Sequence, residues 1–159
     1  MLRDFEAAGE LRIVSNLGDD IVEIAALAER IDESGKLGSG GLDPFGVGAI
    51  VDALAEVRIA GNDRVVGITQ GWKLTGAIKT AERKLADGTF SHGGLGLMAW
   101  AVGNAKVEPR GNAISITKQA SGTAKIDPLM AAFNAVALMA MNPQPAGRSY
   151  LRSSEMLVL

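Results

Sequence analysis

The chain has 159 residues, of which 47% are apolar and 21% charged, a composition that suits one globular domain and excludes a disordered chain. Its formal net charge is −2, so any contact with nucleic acid would need a local basic patch. It has no cysteine and a single histidine, His92, which excludes disulfides, thiolate nucleophiles and zinc sites built from cysteine or several histidines.

The first third of the chain predicts a strand, a helix and a second strand. Alternation around Leu11 and Ile13 indicates a strand at about 10–16. Asp19 or Asp20 would then cap a helix that runs to about Ser34. The glycine-rich segment that follows finishes in Leu42 and Asp43, which indicates a short buried strand, and Pro44 would open the next helix.

The rest of the chain continues the alternation of strands and helices. The predicted elements are a strand at 64–69, a helix at 73–87, a helix at 95–104, a hairpin at 105–119 that turns at 109–112, and a helix at 127–141. Alternation of this kind predicts an α/β sheet covered by helices. Residues 1–142 would form the folded domain, and residues 143–159 would form a tail rich in proline, serine and arginine.

The longest apolar run, 129–141, falls short of the ~20 residues of a membrane span. It is interpreted as a helix buried on all sides. The amino-terminal stretch lacks the apolar region of a secretory signal. We therefore expect no membrane partner and a cytoplasmic location.

Two carboxylates, Asp43 and Asp127, each precede a proline at the start of a predicted helix. The simpler interpretation is that each caps its helix. The alternative is a metal site, because Asp43 also follows a strand, and functional groups of open α/β sheets gather at the carboxyl ends of strands. With thiolate and multiple histidine ligands excluded, oxygen ligands remain, and they favour Mg²⁺, Mn²⁺ or Ca²⁺.

Other familiar catalytic patterns are missing or poorly placed. The chain has no phosphate-binding loop of the GxxxxGK[ST] type, and GLGLMA at 94–99 fits GxGxxA without a clear preceding strand. No serine elbow accompanies the single histidine. His92 is either a surface histidine or a group that contacts phosphate or orients a water. Lys118 and Lys125 are either solvated loop charges or phosphate contacts beside Asp127.

Five segments in order resemble the nuclease domain of the large terminase subunits of tailed bacteriophages and prophages. They are LDPFG, VVGITQGWKL, AIKTAERKLADGTFSHGG, LMAWAVGNAKVEPRGNAISITKQ and KIDPLMAAFNAV. The resemblance extends from about residue 9 to residue 142. It implies an RNase H-like sheet flanked by helices and a metal-dependent endonuclease that cuts viral DNA during genome packaging.

The resemblance also implies roles for particular residues. Asp43 resembles the second acid of the family and Asp127 the third, and both would bind Mg²⁺ or Mn²⁺ in a two-metal site. Lys118, Lys125 and His92 would contact the phosphates of double-stranded DNA. The viral portal and the small terminase subunit are the implied protein partners, and the bacterial host cell is the implied location.

The chain departs from the family pattern in two respects. The first acid lies on the first strand of the family's domain, and Asp4, Asp19 and Asp20 do not match that position. The ATPase half with its phosphate loop has no counterpart either. We therefore expect a carboxyl-terminal nuclease part that lacks the first strand or strands and cleaves poorly. The alternative is a non-catalytic prophage remnant, or a module that binds DNA or the packaging machinery.

Overall fold

The structure is a computed structural model that describes residues 1–119 and 124–142. The helices are α1 (Leu2–Ala7), α2 (Asp19–Glu33), α3 (Gly48–Glu56), α4 (Thr75–Ala86), α5 (Gly96–Gly103) and α6 (Asp127–Ala140), and a 3₁₀ turn at Gly71–Leu74 leads into α4. The strands are β1 (Gly40–Leu42), β2 (Val65–Gly67), β3 (Ala105–Arg110) and β4 (Ala113–Lys118). The predicted tail, 143–159, lies outside the described residues, as does most of the loop between Lys118 and Lys125.

The strands form two small sheets. β1 and β2 are parallel neighbours, with Leu42 opposite Gly67, whereas β3 and β4 form an antiparallel hairpin. The mixed α/β composition expected from the sequence is confirmed, but the described residues contain two separate two-stranded sheets and no single covered sheet. β1 and β2 have only three residues each, so the ladder of hydrogen bonds between them is short.

The core lies where α4, α6, the β2 end and the hairpin meet. Its buried members are Ile68, Leu74, Ala77, Ile78, Ala81, Phe133, Val136 and Leu138. The expectation that the last helix is buried on all sides is wrong, because Met139 is 70% exposed on α6. One side of this apolar helix therefore faces away from the core. No helix in the described ranges is both long and apolar enough to cross a membrane.

Thr75, the first residue of α4, is hydrogen-bonded to the hairpin, whose Ile114 and Ile116 also pack on the core. The Thr75 hydroxyl donates to the carbonyl oxygen of Ile114 at 2.9 Å and accepts from its backbone N–H at 3.0 Å. The expected turn at 109–112 is shorter than predicted, because Pro109 belongs to β3, where it pairs with Ile114. The turn consists of Gly111 and Asn112, and Gly111 has φ 63°, a value that glycine adopts without steric cost.

The predicted strand at 10–16 does not form in this structure. These residues instead connect α1 to α2, and the backbone N–H of Ile13 donates to a carboxylate oxygen of Glu6 at 3.0 Å. A strand needs a neighbouring strand to bond its backbone N–H and C=O groups. Here the Glu6 carboxylate accepts one of those hydrogen bonds instead. The amino-terminal segment is held on α5 by the Glu10 carboxylate and by a contact between the Phe5 and Trp100 rings, whose centroids are 5.9 Å apart.

Two helix starts differ from the prediction. The residue before α2 is Gly18, and the Asp19 carboxylate accepts a hydrogen bond from the Asn16 side chain at 2.8 Å instead of capping the helix. α3 begins at Gly48, so Pro44 lies in the preceding loop. The predicted end of α2 agrees better with the structure, because Gly35 follows the helix with φ 71°. Just after α4, hydrogen bonds from the hydroxyl and backbone N–H of Thr89 hold the pKa of the Asp87 carboxyl below its ordinary value.

Candidate metal centre at the carboxyl end of β1

Asp43 is exposed and directly follows β1, at the start of the loop that leads to α3. Its Oδ1 atom accepts a hydrogen bond from the backbone N–H of Phe45 at 3.1 Å. The capping interpretation is therefore wrong for α3, since the bonded N–H belongs to the loop and not to the helix. This local turn engages Oδ1 and keeps the exposed carboxylate at the end of the strand.

Asp127 is exposed and is the first residue of α6, followed by Pro128. The residue before the helix is Ile126, and no side chain caps this helix start. The capping interpretation is wrong here as well, because Asp127 lies inside the helix. Its carboxylate sits in the first turn, where the free N–H groups and the helix dipole favour a negative charge.

The contacts of α6 show which face carries Asp127. Asp127, Asn134 and Leu138 stand at positions i, i+7 and i+11, which fall on one side of an α-helix. Leu138 lies against Gly41 of β1, where an added Cβ would be 2.9 Å from its Cδ1 atom. Asn134 accepts a hydrogen bond from the Gln70 side chain at 3.0 Å. The face that carries Asp127 is thus the face that packs on the β1–β2 pair.

The same contacts give the direction of α6. Gly41 lies within β1, and Gln70 lies beyond the end of its parallel neighbour β2. Passing from Leu138 to Asn134 moves toward the start of α6, so the carboxyl ends of the strands point toward that start. Asp127 lies about two turns, or roughly 10 Å, beyond Asn134 along the helix. Asp43 and Asp127 therefore belong to the same end of the unit formed by β1, β2 and α6.

Lys118 and Lys125 are brought to one corner by Asn104, which follows α5. The Asn104 side chain donates to the carbonyl oxygen of Lys125 at 3.1 Å, and its own carbonyl accepts from the backbone N–H of Gln119 at 2.9 Å. Lys118 pairs across the hairpin with Ala105, the residue that follows Asn104. Both lysines are exposed. Asp127 follows Lys125 by two positions, so this corner adjoins the start of α6.

His92 is exposed in the loop before α5, and its contacts are local. Its Nδ1 atom accepts a hydrogen bond from the backbone N–H of Gly94 at 3.1 Å. An accepting Nδ1 carries no proton, which leaves Nε2 as the atom that could meet a ligand. Among residues 1–119 and 124–142, no hydrogen bond links His92 to either aspartate or to the lysine corner.

The donor set can be tested against the implied metal. Two exposed carboxylates at one end of a sheet suit Mg²⁺ or Mn²⁺, since Mg²⁺ is commonly held by one or two carboxylates together with waters and substrate phosphates. Within the described part of the chain, no three acidic or histidine side chains gather as a metal-binding group. Asp43 and Asp127 would be the protein ligands of such a Mg²⁺ or Mn²⁺ site.

Sequence reasoning missed three residues that shape this region: Gln70, Asn134 and Asn104. Each is a side-chain amide that joins two elements, and each contact spans 21 positions or more. The one signal in the sequence was Asn134, which interrupts an otherwise apolar run from 129 to 141. A polar residue in such a run indicates a buried hydrogen bond but does not name its partner.

Comparisons with known proteins gave one match. The family model described as terminase large subunit, endonuclease domain, matches residues 40–143. This range contains β1, α6 and all of the candidate site residues named above. The comparisons with curated proteins and with solved structures found no match.

Proposed function

We propose that this chain, which belongs to the terminase large-subunit endonuclease family, is the nuclease part of such a subunit. Its reaction would be the metal-dependent cleavage of viral DNA during genome packaging. The observation that supports the proposal is that Asp43 follows β1 and Asp127 begins α6, the helix that contacts Gly41 of β1 through Leu138 and Gln70 beyond β2 through Asn134. An RNase H-like arrangement, with these strands as part of a larger sheet, belongs to the same proposal.

Each side chain has a proposed task. The free oxygen of Asp43 and the carboxylate of Asp127 would hold Mg²⁺ or Mn²⁺. A divalent ion in a nuclease site lowers the pKa of a bound water and stabilises the leaving oxygen of the phosphodiester. Lys118 and Lys125 would bind backbone phosphates next to the α6 start, so that the scissile phosphate approaches the two carboxylates. His92 would meet a more distant phosphate through Nε2.

The proposed partners follow from this role. Double-stranded DNA would be bound through its phosphates, so that affinity falls with rising salt and depends little on sequence. The viral portal and the small terminase subunit would be the protein partners, and the cytoplasm of the bacterial host would be the place of action. Two protein ligands hold divalent ions less firmly than three, so we expect weak cleavage from this chain alone.

A plasmid-nicking assay tests the function. Supercoiled plasmid is incubated with the chain and Mn²⁺, and conversion to the open circle is followed on gels. We expect slow nicking that Asp43→Ala and Asp127→Ala each reduce at least tenfold. Asp20→Ala is the matched control, because Asp20 is also an exposed aspartate in the first turn of a helix, α2. If all three variants nick as the wild type does, the proposed site is wrong.

A second function is favoured by a specific observation: the described ranges hold no group of three metal-binding side chains. On that alternative, the chain binds DNA or the packaging machinery without cutting. It predicts salt-sensitive DNA binding in a filter or mobility-shift assay, with Lys118→Ala and Lys125→Ala each weakening it, but no nicking at any Mn²⁺ concentration. Nicking that disappears in Asp127→Ala would decide against this alternative.

A further inference from the structure

Asn134 is the one polar residue of the buried face of α6, with 8% of its surface exposed. A buried amide lowers stability unless its hydrogen bonds are made. Its Oδ1 atom accepts from the Gln70 Nε2 at 3.0 Å, and the same Nε2 donates to the backbone carbonyl of Ile68 at 2.8 Å. The Gln70 amide is therefore fixed on the segment just beyond β2 while it bonds to the middle of α6.

Apolar packing sets which face of α6 is buried, through Phe133, Val136 and Leu138. Aliphatic contacts are not directional, so they constrain a small rotation of the helix less tightly than a hydrogen bond does. Any such rotation about the helix axis would turn the Asp127 carboxylate with it. A directional hydrogen bond between one atom near the strand end and one atom of the helix opposes this rotation, as buried polar residues do in other helical packings.

We propose that the hydrogen bond between Gln70 and Asn134 is a positioning contact that sets the orientation of Asp127 toward Asp43. The bond joins α6, which begins with Asp127, to the segment that follows β2, the neighbour of the strand after which Asp43 stands. Asn134 is two turns from Asp127 on the same face of the helix. This inference rests on the proposed function, because it assigns Gln70 and Asn134 to the support of the same metal site.

The test measures Mn²⁺ affinity by titration calorimetry on the full chain, together with the stability of the metal-free protein in urea. Gln70→Met and Asn134→Leu each remove one partner with a side chain of similar length or volume. We expect each to weaken Mn²⁺ binding at least tenfold, the range seen when residues that orient metal ligands are replaced. The double variant should bind Mn²⁺ no more weakly than either single variant, because all three variants lack the same hydrogen bond.

Val136→Ala is the matched control. Val136 is buried to a similar degree, lies on the same helix and faces away from Asn134. Its truncation should lower the stability of the metal-free protein while leaving Mn²⁺ affinity within about twofold of the wild type. Should Asn134→Leu fail to fold by circular dichroism, Gln70→Met, at the partly exposed partner, provides the same comparison.

The outcomes separate the two proposals. If the wild type binds Mn²⁺ and Asp127→Ala abolishes binding, but Gln70→Met and Asn134→Leu bind normally, the positioning role is overturned and the proposed site stands. If affinity falls in Val136→Ala as much as in Asn134→Leu, the loss reflects general instability and the positioning role is again overturned. If the wild type binds no Mn²⁺, or Asp43→Ala and Asp127→Ala bind as it does, both proposals fail.

Discussion

Glu10 supplies a helix cap that the sequence next to α5 does not provide. Its two carboxylate oxygens accept hydrogen bonds from the backbone N–H groups of Gly96 at 3.3 Å and Leu97 at 2.6 Å. The residue that precedes α5, Leu95, has no capping side chain. The free N–H groups and positive dipole end of α5 are thus satisfied by a carboxylate 86 positions earlier in the chain.

Replacing Glu10 should therefore cost stability. We expect Glu10→Ala to lower the free energy of unfolding by about 1 kcal/mol, as the loss of a helix cap does, and Glu10→Gln to cost less because one acceptor oxygen remains. Urea unfolding at neutral pH measures both. Glu82→Ala, at an exposed glutamate of α4, should be neutral, and equal stability of all the variants would show that the Glu10 contact contributes nothing.

The site shows what single residues can reveal in a sequence. Asp43 and Asp127 could be selected because each stands at the boundary of an element, where a carboxylate is either a cap or a ligand. In the structure, neither carboxylate caps a helix. Asn134 could be noticed as a polar interruption, but Gln70, Asn104 and Glu10 could not be connected to their partners, because those contacts join segments distant in the chain.

At the scale of elements, the approach of α6 to β1 depends on the absence of a side chain at one position. A Cβ added to Gly41 would lie 2.9 Å from Leu138 Cδ1 and 3.1 Å from Ile68 Cγ1, and both of those side chains are buried. Atoms of packed side chains do not approach so closely without rearrangement. Gly41 therefore allows the helix that carries Asp127 to lie directly on the strand that ends at Asp43.

Adding a methyl group at this contact tests the packing. We expect Gly41→Ala to destabilise the protein by about 1–3 kcal/mol through overpacking, and Gly41→Ala combined with Leu138→Ala to cost less than the sum of the two single changes. Gly40→Ala is the control, because its nearest neighbour would be a backbone oxygen at 3.9 Å. Thermal or urea unfolding measures the four variants, and additive losses would argue against direct contact.

Most elements could be predicted from periodicity and glycine or proline signals, since the positions of α2, α4, α5, α6, β1 and β2 agree within a few residues with those expected. Predictions failed where tertiary contacts decide. The segment at 10–16 alternates like a strand but finds no neighbouring strand, and Pro109 was assigned to a turn although a β3 position opposite Ile114 accommodates it. Local pattern specifies neither the pairing partner nor the edge of a strand.

For the whole molecule, the central question is whether Asp43 and Asp127 serve one metal site. A competing location exists in a groove between α2 and α3, lined by Glu29, Asp32, Glu33 and Glu56 together with Val57 and Arg58. Asp32 is ion-paired with Arg64 at 2.6 Å, so three of these acids are without that pairing. That groove would also attract cations, and most of its acids precede residue 40, outside the range that matches the endonuclease family. The location at which a divalent ion binds therefore distinguishes the proposed centre from nonspecific attraction to surface carboxylates.

The most direct measurement is a titration of the ¹⁵N-labelled chain with small amounts of Mn²⁺, followed by two-dimensional NMR, because Mn²⁺ broadens the signals of nearby amides. We predict that the amides of Asp43 and Phe45 lose intensity together with those of Asp127 and Leu129 at the lowest Mn²⁺ concentration. Asp127→Ala should abolish the broadening at both segments. Broadening confined to the groove between α2 and α3, or to one of the two segments alone, would contradict a shared metal centre.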